Sequence, residues 1–293
     1  MQNPQALIRL FRPHQWVKNG FVLLGVIFAH RWDIPTLLQA LTVFLAFCAV
    51  SSSAYVLNDI LDVKADRSHP TKCRRPIASG AVSVAQGWWW MGSLAMVALG
   101  LAARVSATAA VFIASYLLLN AAYSVRLKHV VILDVFVISA GFMLRILAGT
   151  SGIDIAPSHW LLLCGLMLTL FLGFAKRRAE LLAVESSGKA SPALTRQVLD
   201  DYSPAVLDLF LGVTAACAIL SYGLYTMSPE TMAQHGTDKL VYTLPFIVYG
   251  MFRYIHLLHD RGRGSDTAND LLDDRHLTLV VLSWLLVTLW LLA

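Results

Sequence analysis

Three aspartates in this sequence stand at a spacing that can bind a metal ion. Asp59, Asp62 and Asp66 occur within the stretch NDILDVKAD. On an α-helix, which turns about 100° per residue, Asp66 lies about 20° and Asp62 about 60° from Asp59, so all three carboxylates share one face. Because carboxylates this close repel one another, they need a cation between them. Oxygen ligands at this spacing suit Mg²⁺, whose coordination is usually completed by water and substrate phosphates.

Cationic side chains follow these carboxylates. Lys72, Arg74 and Arg75 lie in the stretch TKCRRP, and arginine can pair with phosphate oxygens through two parallel hydrogen bonds. A divalent metal flanked by Arg and Lys is a common means of neutralising a diphosphate leaving group. The pattern therefore predicts a metal–diphosphate site. The alternative is a solvated helix end that carries unfavourable charges.

The elements that position these residues are membrane helices. Of the 293 residues, 57% are hydrophobic and 14% are charged, whereas a soluble domain carries nearer a quarter charged residues. A transmembrane helix needs about 20 apolar residues, and nine runs approach or reach that length. These runs are residues 18–30, 36–58, 88–103, 106–123, 130–149, 158–175, 205–227, 240–258 and 277–293. We therefore predict an all-α, polytopic membrane protein with about nine transmembrane helices, formed as a single domain over residues 1–293.

Basic residues predict how these segments are oriented. Most of the 23 Lys and Arg residues fall at the N-terminus or in the loops after even-numbered segments, whereas Arg31, Arg104 and Lys239 fall on the other side. Loops rich in Lys and Arg face the cytoplasm. We therefore predict a multi-pass protein of the inner (plasma) membrane, with a cytoplasmic N-terminus and the aspartates at the cytoplasmic face.

Other signals narrow the function classes. The four cysteines have neither a paired metal-binding spacing nor a disulfide pattern. Neither a Gly-x-x-x-x-Gly-Lys phosphate loop nor a dinucleotide fingerprint occurs, and nothing indicates nucleic acid as a partner. Arg145 lies inside the fifth segment, where a charged side chain normally faces the bundle interior. An acidic partner on another helix and a substrate contact are both open for it.

The chain resembles the UbiA superfamily of intramembrane prenyltransferases. NDILDVKAD matches the superfamily's first aspartate motif, N-D-x-x-D-x-x-x-D, and lies at the cytoplasmic end of the second segment, as the superfamily requires. The resemblance implies a nine-helix bundle whose active site faces the cytoplasm. It also implies that Asp59, Asp62 and Asp66 hold Mg²⁺ and are the catalytic residues, with Asn58 as a supporting polar contact.

The sequence departs from the aromatic prenyltransferases of this superfamily after the sixth segment. Those enzymes carry a second aspartate-rich motif there, which helps a second Mg²⁺ to hold a prenyl diphosphate. This chain instead reads GFAKRRAELLAVESS, with Lys176, Arg177, Arg178 and Glu180. A donor bound beside this largely basic stretch should carry additional anionic charge.

This pattern is similar to that of the decaprenyl-phosphate phosphoribosyltransferase branch. The branch is also indicated by RPHQWVKN at Arg12–Asn19, YSVRLKHVVILD at Tyr123–Asp134, AKRRAEL at Ala175–Leu181 and LLDDR at Leu271–Arg275. The implied reaction joins phosphoribosyl diphosphate to a polyprenyl phosphate and releases diphosphate. Because the lipid phosphate is already an anion, the reaction needs no general base, and catalysis should rest on positioning and electrostatics.

The resemblance also implies which side chains bind the substrates, while leaving open which cation meets which phosphate. Lys18 is assigned to a phosphate or, equally, to the lipid headgroups. The implied substrate-binding residues are Asn58, Lys18, Lys72, Arg74, Arg75, Tyr123, Arg126, Lys128, Lys176, Arg177 and Glu180.

Two other functions compete with this reading. An aromatic prenyltransferase with a degenerate second motif would use a polyprenyl diphosphate donor and an aromatic acceptor. A lipid transporter would favour charged groups near the membrane midplane and two related halves, but here the acids cluster at one surface. The sequence does not specify the length of the polyprenyl chain or the oligomeric state, and a homo-oligomer is left open.

Overall fold

The described part of the protein is helical. The computed structural model describes residues 4–69, 71–186, 201–261 and 273–292, and no β-strand occurs in these ranges. The all-α prediction is therefore confirmed. The α-helices in chain order are α1 (Pro4–Phe11), α2 (Leu24–Phe28), α3 (Ile34–Leu61), α4 (Val63–Ser68), α5 (Val84–Val105), α6 (Ala107–Val125), α7 (Leu133–Ala148), α8 (His159–Ser186), α9 (Pro204–Met227), α10 (Pro229–His235), α11 (Leu244–Arg261) and α12 (Arg275–Leu292).

Eight helical segments in the described residues are long and apolar enough to cross a membrane. Each coincides with one of the predicted apolar runs, from the second run to the ninth. The protein is therefore a multi-pass membrane protein. The segments are Ile34–Leu61, Val84–Val105, Ala107–Val125, Leu133–Ile153, His159–Ala183, Pro204–Met227, Lys239–His259 and Arg275–Leu292.

The first predicted run has a different form. Pro13–Leu23 is a 3₁₀-helix that continues directly into α2. A 3₁₀-helix rises about 2.0 Å per residue and an α-helix about 1.5 Å, so the two pieces together measure about 30 Å. Both pack against α3 and α7. Because about 30 Å is also the thickness of the hydrocarbon core, residues 13–28, which contain most of the predicted run 18–30, are long enough to cross a membrane.

Polar residues cap both ends of α3. Asp33 accepts hydrogen bonds from the Thr36 backbone N–H at 3.0 Å and from the Thr36 hydroxyl at 2.8 Å. These hydrogen bonds hold the pKa of the Asp33 carboxyl below its ordinary value, and the bond from the Thr36 hydroxyl has the larger effect. At the other end, α3 stops at Leu61, Asp62 is its C-cap, and α4 begins at the next residue. The helix that carries the aspartates is therefore interrupted within the motif.

Contacts divide the chain into two compact units, one within Met1–Ala156 and one that begins at Pro157. In the first unit, α3 is the central helix and packs against α5, α6 and the 3₁₀-helix. Its buried core includes Phe47 and Ile113. In the second unit, α8 packs against α9, and α11 packs against α12. The single-domain organisation stays a prediction.

Gly149 permits a close contact between the first span and the end of α7. A Cβ at this position would lie 1.8 Å from the carbonyl oxygen of Val22 and 2.6 Å from its carbonyl carbon. These are backbone atoms, so they cannot rotate away as a flexible side chain can. Any larger residue would have to separate the two segments.

We expect Gly149→Ala to lower the melting temperature of the detergent-solubilised protein by about 2–12 °C, since overpacking costs about 1–3 kcal/mol. Gly92→Ala is the matched control. Nothing lies within 4 Å of a Cβ at Gly92, and alanine is the better helix former there. Equal melting temperatures for Gly149→Ala and the wild type would contradict the close contact.

Candidate active site

Asp59 is a buried carboxylate in the last turn of α3, and its side chain is 1% exposed. Arg12 donates a hydrogen bond to its Oδ1 at 2.5 Å, and Arg75 donates to the same oxygen at 3.2 Å. The other oxygen, Oδ2, is buried and accepts no hydrogen bond from the described residues. A buried oxygen without a donor costs free energy. This oxygen is therefore suited to one further cation.

Arg75 also links Asp59 to Asp66, which is buried in α4. The Nη1 atom of Arg75 donates to Asp66 Oδ2 at 2.7 Å as well as to Asp59 Oδ1. One positively charged nitrogen thus reaches both carboxylates. Together with the bare Oδ2 of Asp59, this arrangement fits a divalent cation held between these two residues.

Asp62 points to a different partner. It accepts a hydrogen bond from Lys128 Nζ at 2.8 Å, and its side chain is 29% exposed. The prediction of one shared carboxylate face assumed an unbroken helix, and the interruption at Asp62 changes this geometry. Across the described ranges, no three Asp, Glu, His or Cys side chains converge closely enough to hold a metal ion. The participation of Asp62 in a metal site stays a prediction.

Arg12 is a site residue that the sequence reasoning missed. It opens the stretch RPHQWVKN, but from that stretch only Lys18 was selected as a substrate ligand. Its backbone has a left-handed conformation, with φ of 52°, and its guanidinium lies 5.0 Å from the centre of the Tyr55 ring. The three motif aspartates thus contact three cationic side chains, and the charges of the two groups balance. The cations are Arg12, Arg75 and Lys128.

The other two predicted cations of the loop after α4 differ in exposure. Lys72 is half-buried and Arg74 is exposed. The Nδ1 atom of His69 accepts hydrogen bonds from the backbone N–H groups of Thr71 at 3.3 Å and Lys72 at 3.4 Å. Burial, together with the neighbouring Lys72 charge, lowers the pKa of His69. The neutral imidazole therefore orders the backbone that carries Lys72.

The remaining predicted residues of the first unit lie on three elements. Asn58 is half-buried beside Asp59 on α3, and Lys18 is half-buried on the 3₁₀-helix. Tyr123 is half-buried near the end of α6, and Arg126 is its exposed C-cap. From the stretch that contains these last two residues, Lys128 contacts the motif aspartate Asp62.

The basic stretch of α8 divides into two ion pairs in the second unit. Arg177 is fully buried and donates to Glu180 on the same helix, while Lys176 is half-buried. Arg178 pairs with Asp208 of α9 and donates to the carbonyl oxygen of Leu258 in α11 at 3.2 Å. Arg178 therefore links α8 to both α9 and α11.

Asp274, from the LLDDR stretch, caps a helix. It accepts from the Leu277 backbone N–H at 2.9 Å at the start of α12 and from Arg253 at 2.7 Å. The Arg253 hydrogen bonds lower the pKa of Asp274 to about 2. Leu271 and Leu272 of the same stretch lie outside the described residues.

Comparison with known proteins identifies the family. Residues 20–272 match the UbiA prenyltransferase family. The chain is 33% identical over 292 residues to the decaprenyl-phosphate phosphoribosyltransferase of Mycolicibacterium smegmatis, covering 96% of this chain and 90% of that protein. It is 33% identical over 288 residues to the protein of the same name from Corynebacterium glutamicum, covering 95% and 84%.

The fold is that of a solved structure of a UbiA homolog from Archaeoglobus fulgidus bound to GPP and Mg²⁺. The TM-score is 0.71 at 15% sequence identity, and the match covers 98% of this chain and 99% of that chain. The sequence match and the fold agree over nearly the whole length. The chain therefore belongs to the UbiA prenyltransferase family.

Proposed function

We propose that this protein transfers the 5-phosphoribosyl group from phosphoribosyl diphosphate to a polyprenyl phosphate, with release of diphosphate, at the cytoplasmic face of the inner membrane. The observation that carries the proposal is the 33% identity over nearly the full chain to two decaprenyl-phosphate phosphoribosyltransferases. The cations around the aspartate motif support it, because every substrate in this reaction carries phosphate.

The proposed reaction exchanges one bond at C1 of the ribose. The bond from C1 to the diphosphate oxygen breaks, its electron pair leaves with diphosphate, and an oxygen of the lipid phosphate bonds to C1. Positive charge develops on the sugar, as in glycoside hydrolysis. Because the attacking oxygen carries no proton, the site needs no general base. Its main task is to neutralise the departing diphosphate.

Arg12 and Arg75 are suited to that task. Both side chains are partly exposed, at 21% and 25%, and both contact Asp59. Guanidinium groups pair with phosphate oxygens as readily as with carboxylates. We propose that these two arginines exchange Asp59 for the diphosphate when the donor binds.

Mg²⁺ would be held by Asp59 and Asp66, with Asp62 as a further ligand and Asn58 as a polar neighbour. When bound, the metal supplies Lewis-acid neutralisation of the leaving diphosphate. The bare Oδ2 of Asp59 and the nitrogen of Arg75 that reaches both carboxylates support this assignment.

The other substrate contacts follow from the resemblance to the phosphoribosyltransferase branch. Cations in the loop after α4 would bind diphosphate or lipid phosphate, and the end of α6 with the following turn would bind the 5-phosphate or the ribose. Glu180 would accept hydrogen bonds from ribose hydroxyls. The residues proposed for these contacts are Lys18, Lys72, Arg74, Tyr123, Arg126, Lys128, Lys176, Arg177 and Glu180.

Product identification tests this function. The purified protein in lipid nanodiscs should convert labelled phosphoribosyl diphosphate and decaprenyl phosphate into a phosphoribosylated lipid and diphosphate, and a chelator of divalent ions should stop the reaction. A parallel sample with polyprenyl diphosphate and an aromatic acceptor should give no product. A prenylated aromatic compound without any phosphoribosylated lipid would instead identify an aromatic prenyltransferase.

A further inference from the structure

The winding of the first membrane segment is unusual. Pro13–Leu23 is a 3₁₀-helix of 11 residues, whereas most 3₁₀-helices end after three or four residues because their hydrogen bonds are poorly aligned. Contacts from outside the segment must therefore stabilise this winding. Those contacts also determine which side chains the segment presents to the site.

Three residues per turn set the position of each Cα atom around the helix axis. Positions six residues apart coincide in a 3₁₀-helix, whereas an α-helix would set them about 120° apart. Arg12 is the left-handed cap, but its carbonyl oxygen accepts the first 3₁₀ hydrogen bond, from the Gln15 backbone N–H at 2.9 Å, so its Cα atom begins the same helical path. The Cα atom of Lys18 therefore lies two full turns, about 12 Å, beyond that of Arg12. Arg12 contacts Asp59. The 3₁₀ winding thus places the Cα atom of a second cationic residue on the same side of the helix as that of Arg12.

A separate face of this helix packs against its neighbours. Trp16 and Asn19 are three residues apart on this face. Trp16 Nε1 donates to the Ser52 hydroxyl at 3.0 Å, and Asn19 Nδ2 donates to the Ser51 hydroxyl at 3.3 Å. Both serines belong to α3, so these bonds fix the rotation of the 3₁₀-helix about its own axis.

Arg145 holds Asn19 from the other side. Its Nε donates to Asn19 Oδ1 at 2.8 Å, its Nη1 to the Gly141 carbonyl oxygen at 2.8 Å, and its Nη2 to the Tyr116 hydroxyl at 3.0 Å. The residue is 5% exposed. In the ranges that the structure describes, no carboxylate pairs with it, so the acidic partner considered from the sequence is not found there.

Rings complete the surroundings of this guanidinium. Its carbon lies 4.7 Å, 5.2 Å and 5.5 Å from the centres of the Tyr116, Phe142 and Phe47 rings. A planar guanidinium can meet three acceptors in different directions and stack on rings at the same time, whereas a lysine ammonium cannot reproduce this geometry. The surroundings of residue 145 therefore require an arginine at this position.

We propose that Arg145 is a positioning residue for phosphate binding: by holding Asn19, it maintains the 3₁₀ winding that aligns Lys18 with Arg12 as a pair of cations for a substrate phosphate. This inference rests on the proposed function, because the phosphates are those of the donor and of the lipid acceptor. The two sources share the same anionic chemistry, and the kinetic constants of the two substrates distinguish them.

A double-mutant cycle of Arg145→Lys and Lys18→Ala tests the coupling. Arg145→Lys alone should raise the KM of one phosphate substrate about tenfold, while kcat changes by less than about threefold. In the Lys18→Ala background, Arg145→Lys should raise that KM by a factor about three or more times smaller than in the wild-type background. The reason is that the cation aligned by Arg145 is then missing. A raised KM for phosphoribosyl diphosphate assigns the pair to the donor, and a raised KM for polyprenyl phosphate assigns it to the lipid.

Equal KM effects in the two backgrounds, or an unchanged KM for both substrates in Arg145→Lys, would overturn the inference. Asn19→Ala is the second variant if Arg145→Lys does not fold. It removes the acceptor of Arg145 Nε and should reproduce the same coupling to Lys18. Arg104→Lys is the matched control, because Arg104 is exposed in the last turn of α5, and its kinetic constants should equal those of the wild type.

The proposed function fails separately from this inference. A wild-type protein that forms no phosphoribosylated lipid contradicts the function before any variant is compared. Additive effects in an enzyme that does form this product contradict only the positioning role of Arg145.

Discussion

Replacing Asp59 by asparagine should lower kcat/KM for phosphoribosyl transfer by about 10³-fold, because this buried carboxylate is the proposed metal ligand and contacts two arginines. The amide keeps the size of the side chain and loses its charge. A neutral amide oxygen is also a weaker ligand for a hard cation. The remaining activity should therefore need more Mg²⁺ than the wild type, which a titration of initial rate against Mg²⁺ concentration measures.

Asp33→Asn is the matched control for this substitution. Asp33 caps the opposite end of the same helix, and asparagine is an equally good cap. Its activity should therefore match that of the wild type. Melting temperatures of both variants monitor folding. Unchanged kcat/KM and unchanged Mg²⁺ requirement in Asp59→Asn would refute the metal assignment.

Replacing Arg75 by glutamine should separate donor binding from metal binding. Loss of a charged hydrogen bond to phosphate costs about 1.5–3 kcal/mol, so the KM for phosphoribosyl diphosphate should rise about 10- to 150-fold. Arg75 also occupies the space between Asp59 and Asp66. Because its removal leaves these two carboxylates less neutralised, the Mg²⁺ concentration for half-maximal activity should stay the same or fall.

The KM is expected to rise and the Mg²⁺ requirement is not, a combination that a general loss of folding would not produce. Arg67→Gln serves as the control, since Arg67 precedes the same loop, donates to the Ala78 carbonyl oxygen at 3.3 Å and forms no ion pair with an aspartate among the described residues. Its KM should equal that of the wild type. An unchanged KM in Arg75→Gln would show that Arg75 does not bind the donor.

The membrane segments were predictable because a transmembrane helix requires a long apolar run, and that requirement is written into consecutive residues. The winding of the first run was not predictable in this way. Its polar residues Trp16 and Asn19 are three apart, but this spacing favours a 3₁₀-helix only when Ser51 and Ser52 of α3 are available as partners. Such partners are distant in sequence.

In the candidate site, too, local features were predictable from the sequence and contacts between distant residues were not. The composition of the motif predicted carboxylates close to cations, and the contacts of Asp59 and Asp66 with Arg75 agree with it. The contact between Arg12 and Asp59 was not predictable, because it spans 47 residues of sequence. The direction of Asp62 depends on the helix break, which no local signal marks.

The length of α3 determines how far Asp59 lies along the membrane normal from the start of the helix. The helix has 28 residues and measures about 42 Å, whereas the hydrocarbon core is about 30 Å thick. Asp59, in the last turn, lies about 38 Å above the start of the helix, or about 35 Å at a tilt of 20°. If α3 begins at one edge of the hydrocarbon core, its length places Asp59 beyond the other edge, at the level of the lipid headgroups. The proposed lipid acceptor would reach this carboxylate by lateral diffusion with its phosphate at its normal depth, so only the proposed water-soluble donor would have to leave the aqueous phase.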